Sequence, residues 1–239
     1  MTRVAPVIPA PHDILCEACG YVLNGLPENG RCPECGVAIA ESSPSLRQDS
    51  AWEQRPAMRS FFASTSAVIF RPTAFFRSTS IRDDVRLARR FAWIHWFIVS
   101  VLFAATALLH LHILQQTPLS PAMIAGLMLA AIVGVFVILE IVTRFAAKLT
   151  AWEAAYRGYR LPYKPVLRGL YFHAAHYLPI GLIALMTLIA SQFALNHYPA
   201  QFTYDRYAYI LCAEVILAAG YLFKTYWIGM RNMMYANRH

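Results

Sequence analysis

Between Arg90 and Glu140 the chain runs 49 residues without an Asp, Glu, Lys or Arg, and between Arg168 and Asp205 it runs another 36. Soluble domains have about a quarter of their residues charged, so gaps of this length leave few folds open. As helices rising roughly 1.5 Å per residue, both stretches are long enough to cross about 30 Å of hydrocarbon. The rest of the composition agrees: 58% of the 239 residues are hydrophobic and 14% charged, which excludes intrinsic disorder. Five cysteines, four of them clustered near the amino terminus, do not make a disulfide scaffold of a chain this size.

Four spans are predicted, over residues 91–113, 122–143, 177–195 and 208–228, giving a mainly α four-helix transmembrane bundle. The fourth contains Glu214 and Lys224, but Tyr207, Tyr209, Tyr226 and Trp227 flank it like an interfacial aromatic belt. Pro121 and Pro179 sit at helix starts, where a missing N–H costs little. Arginines and lysines fix the orientation, because positively charged loops stay in the cytoplasm. Arg71, Arg77, Arg82, Arg86, Arg89 and Arg90 precede the first span, and Arg144, Lys148, Arg157, Arg160, Lys164 and Arg168 separate the second from the third. The loop at 114–121 is uncharged, that at 196–207 holds only Asp205 and Arg206, and Arg231 and Arg238 follow the last span. Both termini are therefore expected on the cytoplasmic side. The opening MTRVAPVIPAPHDI lacks a signal-like apolar run, as expected of an uncleaved, unexported amino terminus. The net charge of +8 is concentrated beside the spans, where contact with anionic lipid head groups explains it.

Within CEACGYVLNGLPENGRCPECG, Cys16 and Cys19 form one C-x-x-C and Cys32 and Cys35 a second. Such a turn aims two sulfurs at one ion, and Gly20 and Gly36 tolerate the backbone that lets amides face them. Four thiolates close a tetrahedral site, so a structural ion is expected, and a cytoplasmic location argues against disulfides. Zinc is the default; iron is the alternative, since the two knuckles resemble those of rubredoxin. Over residues 12–41, Asp13, Glu17, Glu28, Glu34 and Glu41 face only Arg31, and four thiolates around a divalent ion add further negative charge. Such a module repels phosphate, which excludes nucleic acid and leaves a protein partner. The protein's own basic membrane-proximal surface is one such partner.

Four regions follow: a metal-binding module at 1–41 with its core at 12–38, a linker at 42–56, an interfacial segment at 57–90, and the transmembrane domain at 91–239. The third carries Phe61, Phe62, Phe75 and Phe76 among arginines, the composition of a helix at the head-group boundary; a cytoplasmic helix packed on the bundle is the alternative. Polar residues inside spans are where function is sought. His110, Gln192 and Glu214 are expected at similar depth, as a proton or ligand site or as glue between helices. Glu140 and Arg144 read as a snorkelling pair, Cys212 as a small apolar residue, and His95, His173 and His176 as three imidazoles near one level. Gly126, Ala130 and Gly134 form a small-residue stripe suited to close contact within one chain or in a homo-oligomer. No H-E-x-x-H, G-x-S-x-G, P-loop or G-x-G-x-x-G pattern occurs, so no enzyme class is indicated.

The pattern CxxCGYxLxGLPxxGxCPECG at 16–36 resembles the amino-terminal zinc ribbon of a class of bacterial, planctomycete-type, multi-pass membrane proteins. That resemblance implies the bacterial inner membrane. The PTAFF segment with several spans is similar to the Yip family, which implies a helical bundle without catalytic residues. The expected function is a membrane scaffold or adaptor whose zinc ribbon makes protein contacts. The alternatives are a small transporter or channel using Glu214 and a membrane redox protein with iron in the ribbon.

Overall fold

The computed structural model describes residues 8–10, 12–115 and 120–237. The start of the expected metal-binding module at 1–7, most of the first uncharged loop, at 116–119, and Arg238 lie outside them. Eight α-helices are present among the described residues: α1 (Ala51–Gln54), α2 (Met58–Phe70), α3 (Pro72–Ser78), α4 (Arg86–Gln115), α5 (Pro121–Tyr156), α6 (Tyr163–His173), α7 (Tyr177–His197) and α8 (Tyr204–Met233). No strand forms among them; the cysteine module has only isolated bridges, Leu15 with Val22 and Arg31 with Ala38.

Four helical stretches are long and apolar enough to cross a membrane: Arg86–Ile113, Pro121–Tyr156, Tyr163–His197 and Tyr204–Met233. They contain the four expected spans and overrun them. Helix α5 continues to Tyr156 through residues of good helix propensity, with Glu153 and Arg157 paired at 2.5 Å one turn apart. It stops where Gly158 adopts φ 80° and Tyr159 N–H returns to the Ala154 carbonyl at 2.8 Å, a left-handed cap. In the third stretch a 3-10 turn at Ala174–His176 separates α6 from α7. Pro179 lacks the N–H that would bond residue 175, so the ladder tightens there.

The chain divides into two compact units. The first gathers the described residues of Met1–Phe91, Thr143–His173 and Thr225–His239. Its core includes aromatic rings 5.2 to 5.8 Å apart, running Trp52, Phe61, Phe91, Phe172, Phe75, Phe76. Phe76 lies against Gly229, where a Cβ would come within 3.3 Å of the ring. Phe75 and Phe76 are therefore buried, whereas Phe62 and Phe70 remain exposed.

Residues 42–56, expected as a linker, are folded. They carry a 3-10 turn and α1, whose Ser50 and Glu53 form a capping box. Arg47, 3% exposed, bonds both oxygens of Glu17 at 2.7 and 2.8 Å and the carbonyls of Phe76, Thr79 and Asn232. Arg168, 1% exposed, bonds Glu53 at 2.7 and 2.6 Å and the Ser80 carbonyl, with Asp49 at 3.8 Å. Fully partnered guanidinium groups are the condition under which a charge can be buried.

The second unit comprises Ala92–Val142 and Ala174–Lys224. Ile113, Leu188 and Tyr207 form a buried cluster, with Leu109, Leu195, Phe202 and Leu211 packed on it. Leu102 fills the space beside Gly181, 3.2 Å from a built Cβ. Leu129, Val133, Ile138, Leu217 and many neighbours are exposed, and no residue of the most apolar window of α5 is buried.

Candidate metal centre

The two knuckles are copies of one fold, offset by sixteen residues. In the first, Cys16 N–H bonds the Tyr21 carbonyl, Gly20 N–H the Cys16 carbonyl and Leu23 N–H the Ile14 carbonyl. In the second, Cys32 bonds Val37, Gly36 bonds Cys32 and Ile39 bonds Gly30 in the same way. Gly20 and Gly36 have φ of 85° and 74°, a region in which a side chain is strained. Leu23 and Ile39, at matching positions, pack with Cys16 and Cys32 beneath the site, joined by Leu26.

This scaffold brings the four Sγ atoms within 4.8 Å of one another. Cys16 and Cys35 are 3.5 Å apart across the knuckles, and Cys19 and Cys32 are 3.6 Å apart. A disulfide would require about 2.05 Å, whereas sulfurs at tetrahedral corners about 2.3 Å from a zinc ion lie roughly 3.8 Å from each other. The four cysteines are therefore free thiols in an arrangement that can hold a metal ion. Cys16 and Cys32 are buried and Cys35 is exposed.

Electrostatics separates the thiols. Burial pushes Cys19 up to about 12, against a hydrogen bond from the Tyr21 backbone. At Cys32 burial opposes ionisation, but bonds from the backbone of Cys35 and Glu34 prevail and hold the thiol at about 7. Cys35 is drawn down by the Val37 backbone, yet desolvation and its bonds to Cys16 and Cys32 leave it raised overall. Backbone N–H groups aimed at sulfur are the outer support that metal–thiolate sites use. The set has no open position, so it suits a structural ion.

One knuckle is clamped and the other is more open. Leu15 N–H donates to Asn237 Oδ1 at 2.8 Å, and Asn237 Nδ2 donates to the carbonyls of Leu15 and Ser42, both at 2.7 Å. Arg160 donates to the carbonyls of Ala10 and Asp13 and to Asn237 Oδ1. Arg231 reaches the Ala18 carbonyl at 3.3 Å and lies over the Tyr235 ring. The expected docking onto a basic surface thus has a counterpart within this unit, made through backbone carbonyls more than through carboxylates. The second knuckle has an exposed Cys35 and open space beside Gly36.

The other expected residues have hydrogen-bond partners of their own. His110 Nδ1 pairs with the Tyr207 hydroxyl, Gln192 donates to Asn196 at 3.0 Å, and Glu214 bonds Thr187; no hydrogen bond joins the three. Gln192 and Asn196 line a cavity of about 600 Å3 with His112 and Tyr204. His173 pairs with Thr225 at 2.9 Å and His176 with Tyr221 at 2.8 Å. Among the described residues, the cysteines are the only group of three or more potential ligands that converge. Glu140 accepts from the Trp93 indole at 3.2 Å. Gly126 and Gly134 have no neighbour within 4 Å of a built Cβ, so their stripe makes no close contact within the chain. Arg47, Tyr235 and Asn237 support the site, and sequence reading did not single them out: one reads as an ordinary basic residue of a linker and two as part of a tail. No family model, curated protein or solved structure matches the chain.

Proposed function

We propose that this is a multi-pass membrane protein of the bacterial inner membrane, both termini cytoplasmic, in which a structural zinc site presents a protein-contact surface. The role is that of a scaffold or adaptor, in keeping with the zinc-ribbon membrane proteins that the sequence resembles. The observation that carries it is the asymmetry of a closed four-thiol site: one knuckle is fastened to Asn237, Arg160 and Arg231, and the other has an exposed Cys35 and open space around a Cβ built at Gly36. Exposed apolar residues along four long helices support membrane insertion. Glu28 and Glu34, both exposed, and the charge of four thiolates around one divalent ion suit a basic protein segment as partner. Site-specific photo-cross-linking from Pro33, in cells, tests this. Metal-dependent cross-links to a protein are expected there and not from Ala18; identical patterns from both positions contradict the reading.

A second reading follows from Glu214, one of whose carboxylate oxygens is buried without a hydrogen-bond partner. Such a group within an apolar helix is a place for proton-coupled transport. On this reading Glu214→Gln abolishes a proteoliposome flux while folding is retained; a variant with unchanged flux rejects it.

A further inference from the structure

Residues 15, 17, 18 and 20 of the first knuckle each meet the carboxyl-terminal segment. Asn237 holds the backbone of Leu15 from both sides, its Oδ1 accepting the N–H and its Nδ2 donating to the carbonyl, as a neighbouring strand would. Asn237 is 2% exposed, and its own N–H faces Glu17 Oε1 at 3.3 Å. Arg231 bonds the Ala18 carbonyl. The ring of Tyr235 occupies the space beside Gly20, where a built Cβ would come within 2.5 Å of it. The second knuckle repeats the same internal hydrogen bonds with none of these contacts among the described residues, and a Cβ built at Gly36 meets open space.

We infer that Tyr235 and Asn237 are positioning residues of the metal site, more than two hundred residues from the cysteines they support. The inference rests on metal binding by Cys16, Cys19, Cys32 and Cys35 and concerns what sets its strength. Asn237 fixes the backbone entering Cys16, and Tyr235 fixes the turn leaving Cys19. Without them the first knuckle has only its own turn to hold two sulfurs in place, and the ion is released faster. Coupling of this kind is reciprocal, so the metal in turn holds residues 235–237 against the knuckle.

The test uses the full chain purified in detergent and loaded with zinc, or with cobalt(II) to read the thiolate charge-transfer band. Release to a chelator is expected to be about tenfold faster or more in Asn237→Ala and in Tyr235→Ala, the scale on which outer supports act. Tyr235→Phe keeps the ring and releases metal at the unmodified rate. Leu188→Ala, in the separate cluster with Ile113 and Tyr207, also leaves release unchanged, which separates positioning from general loss of stability. Unmodified release from both alanine variants overturns the inference. Should those variants not fold, amide exchange on the unaltered protein decides: faster exchange at Leu15 and Asn237 after metal removal supports coupling, and unchanged exchange overturns it. An unaltered protein that binds no metal overturns both this inference and the function proposed above, whereas tight binding with unmodified release from the variants removes the inference alone.

Discussion

Gly20 and Gly36 occupy equivalent turns with positive φ, but only Gly20 is also covered, by Tyr235. Gly36→Ala is expected to cost about 1 kcal/mol through backbone strain alone, and Gly20→Ala distinctly more, because the ring must also move; thermal unfolding of the metal-loaded variants reads the difference. Arg168 is a second sensitive position. Its removal leaves Glu53 inside the first unit with no guanidinium, and Arg168→Ala is expected to destabilise by about 3–5 kcal/mol. Lysine does not rescue it, since one ammonium cannot replace a fork that reaches two carboxylate oxygens and the Ser80 carbonyl. The thiols give a pH dependence with a definite sign. Cys19 at about 12 and the raised Cys35 both carry protons at neutral pH in the metal-free protein, and both protons leave when metal binds. Affinity therefore rises with pH and falls by at least about a hundredfold per unit of acidification near neutrality, with Cys32 at about 7 adding to the slope as it protonates. Chelator competition at two pH values checks this, and a pH-independent affinity contradicts it.

At the level of elements, glycines in the apolar helices separate into two kinds. Gly181 on α7 is crowded by Leu102 of α4, whereas Gly126 and Gly134 on α5 face open space. Gly181→Ala is expected to destabilise by about 1–3 kcal/mol through overpacking, and Gly134→Ala to leave stability unchanged or slightly raised; unfolding in detergent distinguishes them. Charge-free runs located the first three long helices in the sequence, since such a run is a local property that length and composition reveal, and the aromatic residues flanking Glu214 and Lys224 marked the fourth. The overrun of α5 to Tyr156 was harder to see, because its last turns mix aromatic, charged and small residues. The segment at 42–56 was misread for a different reason. Its serines, proline and charges look like a solvated tether, and only the three-dimensional contacts of Arg47 with Glu17 and of Arg168 with Glu53 show it to be packed.

For the whole molecule, the cysteine site was legible because its ligands repeat as two pairs within one short stretch, each pair with a glycine directly after it. Its supports were not, because Asn237 and Tyr235 are remote in sequence and no spacing links them to Leu15 or Gly20. The partners of His110, Gln192 and Glu214 were hidden for a related reason: depth along a span does not specify which helix face a side chain occupies, and the bonds to Tyr207, Asn196 and Thr187 appear only in three dimensions. What unites the molecule is a set of apolar helices together with a closed thiolate site held by residues from distant parts of the chain. The most direct test is the metal content and visible spectrum of the membrane-extracted, detergent-purified protein beside its Cys32→Ser variant. One zinc ion per chain in a colourless sample, lost in the variant, is the predicted result; iron with a thiolate charge-transfer band, or no bound metal, contradicts it.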